Sequence, residues 1–168
     1  TGGSTVAALQ VSSNSTFAGY VAFTAQPCCA VLHASSQTLS TGAEVKVTFD
    51  TEVFDLGGVH STASNPTRFT LPSSGIYEMT GSVVFDASGT GRRYLYWLVN
   101  NSSAVGTVVE TDAHGSTSFV GLTARGWYQA ASSGDYVELV AFTKDIAALN
   151  NGGGTGLAAS RALVRRIA

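Results

Sequence analysis

Charged side chains are scarce in this sequence. Asp, Glu, Lys and Arg make up 12% of its 168 residues, about half the usual share. Long surface helices draw on Glu, Lys and Gln, so the shortage argues against a helical fold. What charge there is nearly cancels. Nine Lys and Arg stand against eleven Asp and Glu, for a net −2. No basic surplus is left to hold a polyanion, which sets nucleic acid aside as a partner. The one basic cluster, Arg161, Arg165 and Arg166, alternates with Ala162, Leu163, Val164 and Ile167, as in a closing strand with solvated or ion-paired arginines.

Other shortages exclude more. No apolar run approaches the ~20 residues of a membrane span, and no secretory leader is expected from the first residues. The only cysteines, Cys28 and Cys29, are adjacent. That pair makes neither a disulfide-stapled fold nor a zinc knuckle. On a strand the two side chains point to opposite faces, as small, partly buried residues or with one in an intermolecular disulfide. His33, His60 and His114 form no H-x-x-x-H or H-E-x-x-H pattern, and no G-x-S-x-G elbow occurs. Asp112 beside His114 lacks a defined nucleophile, and Gly152–Gly156 lacks the Lys of a phosphate loop. Asp50, Glu52 and Asp55 are the one carboxylate group with calcium-like chemistry, otherwise solvated loop acids. No catalytic residue, metal site or cofactor is expected.

What the chain does have is turn chemistry between short apolar runs. Gly, Ser and Thr supply 19, 20 and 19 residues. Val45, Val47 and Phe49 alternate with Lys46, Thr48 and Asp50, which predicts a half-buried strand. The clearest strand runs from Ile76 to Asp86, with Tyr77, Met79, Gly81, Val83 and Phe85 on its apolar face. Strands follow over Arg92–Asn100, Ala104–Glu110, Phe119–Trp127, Asp135–Thr143 and about Leu157–Ile167; the only helical hint is Lys144–Leu149. Turn signals at roughly 8–12-residue intervals predict a sandwich or barrel. Tyr77, Met79, Val83, Phe85, Leu95, Trp97, Val99, Val137 and Leu139 are the expected core.

Two strands are apolar on both faces. Leu95, Trp97 and Val99 serve one face of 92–100, yet Tyr94, Tyr96 and Leu98 fill the other. Val140 and Phe142 repeat this on 135–143. A soluble single sheet keeps one face wet, so these five residues are expected at contacts between subunits. Residues 1–27 lack a clean period and read as an arm or linker ordered on a partner, or as one more edge strand. Leu9, Val11, Phe17, Tyr20 and Phe23 are its expected docking residues.

Phe69, Pro72, Gly75 and Tyr77 stand as an F-x-x-P followed by G-x-Y, and Gly134-Asp135-Tyr136-Val137 as G-D-x-V. In this the chain resembles the C1q/TNF-like superfamily over residues 28–168. The resemblance implies an all-β jelly-roll sandwich of two antiparallel sheets, assembled as a trimer. The wording Asp50-Thr51-Glu52-Val53 with Asn65-x-x-Arg68 is most similar to C1q-like domains of bacteriophage virion proteins. That similarity implies a non-enzymatic structural protein on the virion exterior or tail, a decoration, fibre or tail module anchored to other virion proteins. The alternative is an adhesin module, of a phage or of a bacterial surface protein, that binds a receptor or a host-surface glycan. Trp127-Tyr128 and the His114 loop are its candidate apex, with Trp127 otherwise core or interface.

Overall fold

The computed structural model describes residues 26–86, 90–113, 119–145, 147–149 and 159–168. They form twelve described strands. These are β1 (Cys28–Leu32), β2 (Gln37–Leu39), β3 (Glu44–Lys46), β4 (Thr51–Leu56), β5 (Arg68–Thr70) and β6 (Gly75–Phe85), then β7 (Gly91–Val99), β8 (Ser103–Ala113), β9 (Val120–Ala130), β10 (Tyr136–Thr143), β11 (Ala147–Leu149) and β12 (Arg161–Arg166). All pairings are antiparallel. In the seven-stranded sheet β6 pairs over its whole length with β9, Gly75 opposite Ala130 and Phe85 opposite Val120. Its other edge takes β12 and, at Phe85, β11. From there β12 leads to β1 and β4, and β11 to β2. The five-stranded sheet runs β8, β7, β10, with β3 and β5 sharing the far edge of β10.

The core lies between the sheets. Tyr77, Met79, Val83 and Phe85 of β6 face Leu95, Trp97 and Val99 of β7 and Val137 and Leu139 of β10, none more than 4% exposed. Burial of each such side chain contributes roughly 1.5–3 kcal/mol. Phe69 sits between Phe49, centroids 5.5 Å apart, and the edge of Trp97 at 5.7 Å.

Two expected elements differ. The predicted strand through Val45, Val47 and Phe49 leaves the five-stranded sheet after Lys46 and joins the other at Thr51. Val47 and Phe49 stay buried, but the backbone partners change at each step. The Val47 N–H donates to Leu139, that of Phe49 to Pro66 and that of Asp50 to Leu32. Side chains complete the pairing that the ladder drops. Gln37 donates to the Lys46 carbonyl at 2.8 Å and accepts from the Thr48 N–H at 2.9 Å, and His33 Nδ1 donates to the Thr48 carbonyl at 2.6 Å. The helical hint at Lys144–Leu149 is also corrected, since Ala147–Leu149 is a strand paired with Gln37–Leu39.

The G-D-x-V and F-x-x-P elements, distant in sequence, are bonded to each other. Leu71 N–H donates to the Asp135 carbonyl at 2.7 Å, and Gly134 N–H to the Leu71 carbonyl at 3.0 Å. The Asp135 carboxylate accepts from Asn100 Nδ2 at 2.9 Å, the Tyr128 hydroxyl at 3.0 Å and the Ala131 N–H at 3.3 Å. These donors, Asn100 foremost, hold its carboxyl below the usual carboxylate range.

Where β8 meets β9 the sheets come so close that only glycine fits. Gly106 has φ +76°, and a Cβ there would collide with the Arg125 carbonyl oxygen. Gly106→Ala should therefore destabilise by about 2–4 kcal/mol, from left-handed strain plus overpacking. Gly42→Ala, with φ +68° but open space around it, should lose only the strain, about 1–2 kcal/mol. Equal shifts of the two denaturant midpoints would show that the β8–β9 contact is not tight.

Asp135 makes a second test, with the sign set by its lowered pKa. The stability it adds is full above its unfolded pKa of about 3.9 and disappears as pH falls through the lower folded value. The difference in denaturant midpoint between wild type and Asp135→Asn should be constant from neutral pH to about pH 4 and shrink below that. A difference that does not change with acidification would rule out the carboxylate as its source.

Candidate functional site

The open face of the five-stranded sheet carries a groove of about 390 Å³, which runs along β7 beside Arg92, Tyr94, Tyr96 and Leu98. Alternation along a strand puts these four on one face, opposite the core residues Leu95 and Trp97. Glu44 of β3 walls one side, and Ala104 and Val108 of β8 the other. Tyr94 donates to Glu44 Oε1 at 2.8 Å and Tyr96 to Oε2 at 3.0 Å. Burial, then these bonds to a carboxylate, push both tyrosine hydroxyls up to about 12. They are neutral donors at any physiological pH. The ring of Tyr94 stacks on Phe142 with centroids 4.4 Å apart and planes 7° off parallel, and the Arg92 guanidinium lies 5.1 Å from its centroid.

This places the five residues expected at subunit contacts. Tyr96 and Val140 are 8% and 2% exposed within the single chain, and Tyr94, Leu98 and Phe142 are half-buried. The apolarity of this face is thus largely covered by its own aromatic ladder. Beside it, Glu138 is buried with Lys46 at 2.5 Å and Arg68 at 3.5 Å. It also accepts from the Thr67 hydroxyl at 2.8 Å. Lys46 approaches Oε2 as an ion pair without hydrogen-bond alignment.

The seven-stranded sheet is different. Val53, Phe54 and Leu56 of β4, Ile76 of β6 and Trp127 of β9 are exposed large apolar residues; Phe119 and Ile167 flank strands of the same sheet. Trp127 is 58% exposed, which corrects its reading as core. Beside Val53 lies a shallow depression of about 360 Å³ also lined by Ala30, Leu32, Thr80, Arg161 and Leu163, among others. Cys28 is half-buried and Cys29 buried, both as free thiols. Burial, then the charges of Asp55 and Glu52, push the Cys29 thiol up to about 12, so it is no nucleophile.

The carboxylates with calcium-like chemistry serve the backbone and a histidine. Asp50 accepts from the Ala34 and Ser35 N–H groups at 2.7 Å each, and Asp55 from those of Val59 and His60 at 2.9 and 3.0 Å. Glu52 lies 3.1 Å from Nδ1 of the buried His60, whose Nε2 donates to the Pro66 carbonyl. No group of three or more His, Cys, Asp or Glu among the described residues is placed to hold a metal ion. No described helix is long and apolar enough to cross a membrane. Leu9, Val11, Phe17, Tyr20, Phe23 and His114 lie outside the described residues.

No family model and no curated protein matches the chain. Solved structures do. The globular domain of zebrafish complement 1qA protein is similar with TM-score 0.54 and 18% identity, over 84% of this chain and 98% of that one. Murine APRIL at pH 5.0 is similar with TM-score 0.56 and 11% identity, over 84% and 99%; at pH 8.5 the values are 0.55, 12%, 84% and 99%. These neighbours correct the placement among bacteriophage virion proteins, and with it the virion location and the other virion proteins as partners. The wording behind that placement has a local physical reason. Glu52 holds His60, Asp55 caps the following loop, and Asn65, at φ +53°, gives its carbonyl to the Arg68 N–H. The described residues form an all-β sandwich of two antiparallel sheets, consistent with a C1q/TNF-like jelly roll.

Proposed function

We propose that the chain is a recognition module that binds a receptor or ligand on the open face of its five-stranded sheet and assembles as a trimer through its seven-stranded sheet. The observation that carries this is the uneven distribution of exposed apolar side chains. Among the described residues, seven of the eight large ones lie on or beside strands of the seven-stranded sheet, and Val108 alone belongs to the other. Exposed apolar surface gathered on one face favours association with a like surface. The five-stranded sheet instead presents a groove with oriented hydroxyls and a carboxylate, a polar arrangement suited to specificity. Both neighbours are a complement protein's globular domain and APRIL, and the threefold order follows the resemblance to the C1q/TNF-like superfamily. Three copies would present three grooves, which raises avidity without a new contact.

The test is native mass spectrometry at micromolar concentration. The wild type should run as a trimer, and the double variant Val53→Glu, Leu56→Glu on β4 as a folded monomer. Phe142→Ser should leave the trimer in place. A monomeric wild type sinks the assembly; a trimer that survives the β4 changes but dissociates with Phe142→Ser would move the contact to Tyr94, Tyr96, Leu98, Val140 and Phe142.

A further inference from the structure

We infer that the Glu44 groove binds a cationic side chain, lysine or arginine, of a partner polypeptide. This rests on the reading of the chain as a recognition module and names its ligand class. The starting point is a missing partner. Of the five glutamates in the chain, four have a nitrogen partner among the described residues. Glu52 lies against His60, Glu78 against Arg165, Glu110 against Arg92, and Glu138 against Lys46 and Arg68. Glu44 has only the hydroxyls of Tyr94 and Tyr96. Those hydroxyls orient both carboxylate oxygens and supply no positive charge.

The neighbouring cations are already engaged. Arg92 pairs with Glu110, and Lys46, on the same face of β3 as Glu44, pairs with Glu138. The negative charge of Glu44 therefore faces the groove uncompensated within the described chain. Across the groove from it Leu98, Ala104 and Val108 line an apolar stretch, and Val108 is 57% exposed. An aliphatic stem against these residues with a positive head at Glu44 matches both halves of the site, since lysine and arginine bury their methylenes and keep the charge at a polar rim. Sugar stacking fits less well. The Tyr94 ring already has Phe142 stacked on it and the Arg92 guanidinium near its centroid. The groove follows β7 from Arg92 to Leu98, which suits an extended polypeptide better than a compact ligand.

The experiment titrates the isotope-labelled wild-type protein with end-blocked Gly-Gly-Lys-Gly-Gly, its arginine counterpart and its norleucine counterpart, following backbone amide signals. The charged peptides should shift the signals of Glu44, Tyr94 to Leu98 and Val108, with the norleucine peptide about tenfold weaker. Glu44→Gln, which keeps an acceptor but loses the charge, should weaken the charged peptides by about tenfold. Equal binding of the norleucine peptide, equal binding by Glu44→Gln, shifts confined to other surfaces, or no shift at all would each overturn the inference. A neutral oligosaccharide that moves the same amides would overturn the ligand class while leaving the recognition reading in place.

Discussion

The indole of Trp97 reaches from β7 across the sandwich and donates to the Ala124 carbonyl on β9 at 3.3 Å. It can do so because the two residues beneath it are small. Gly81 and Ala124 are paired across β6 and β9, and a Cβ on Gly81 would stand 3.0 Å from the ring. Leu139, opposite Trp97 on β10, and the edge-on Phe69 close the remaining sides. This one contact sets how far apart the sheets lie and which rows interdigitate. The outer faces, and therefore both surfaces argued to function, follow from that spacing.

Strands with strict alternation were legible. On β6 Tyr77, Met79, Gly81, Val83 and Phe85 alternate with Glu78, Thr80 and Ser82, and the sandwich buries that row. The crossover at Val47–Asp50 was not, because its period of two continues while the hydrogen-bond partners pass from one sheet to the other. Nor was β11, since Ala147-Ala148-Leu149 has no period and its partner β2 is far away in sequence. Trp127 misled through size. The inward row of β9 is Leu122, Ala124, Gly126, Tyr128 and Ala130, small where it meets β8. A Cβ on Gly126 would stand 3.1 Å from Met79 and 3.3 Å from the Val105 carbonyl. A tryptophan next to such a row has to face outward.

The groove was half visible. Tyr94, Tyr96 and Leu98 stood out as a second apolar face, but the sequence offered no sign that Glu44 lies over them. That placement depends on β3 pairing with β10 and β10 with β7, two long-range registers that no local pattern encodes. The proposed assembly surface was hidden for the opposite reason. Val53, Phe54 and Leu56 form a run without alternation, and only the position of β4 at a sheet edge shows that they meet no core.

The two edges of the sandwich are unlike. At β8 and β9 the sheets are clasped, glycine against backbone, whereas β4 is the last described strand of its sheet and five of its six residues are exposed. Local opening starts where few buried contacts resist it. Amide exchange with heavy water should therefore spread inward from β4 and reach the clasped side last, so that the chain breathes like a book bound along β8–β9. A neighbour seated on β4 would hold that book shut, and assembly would slow exchange most in the strands furthest from the spine.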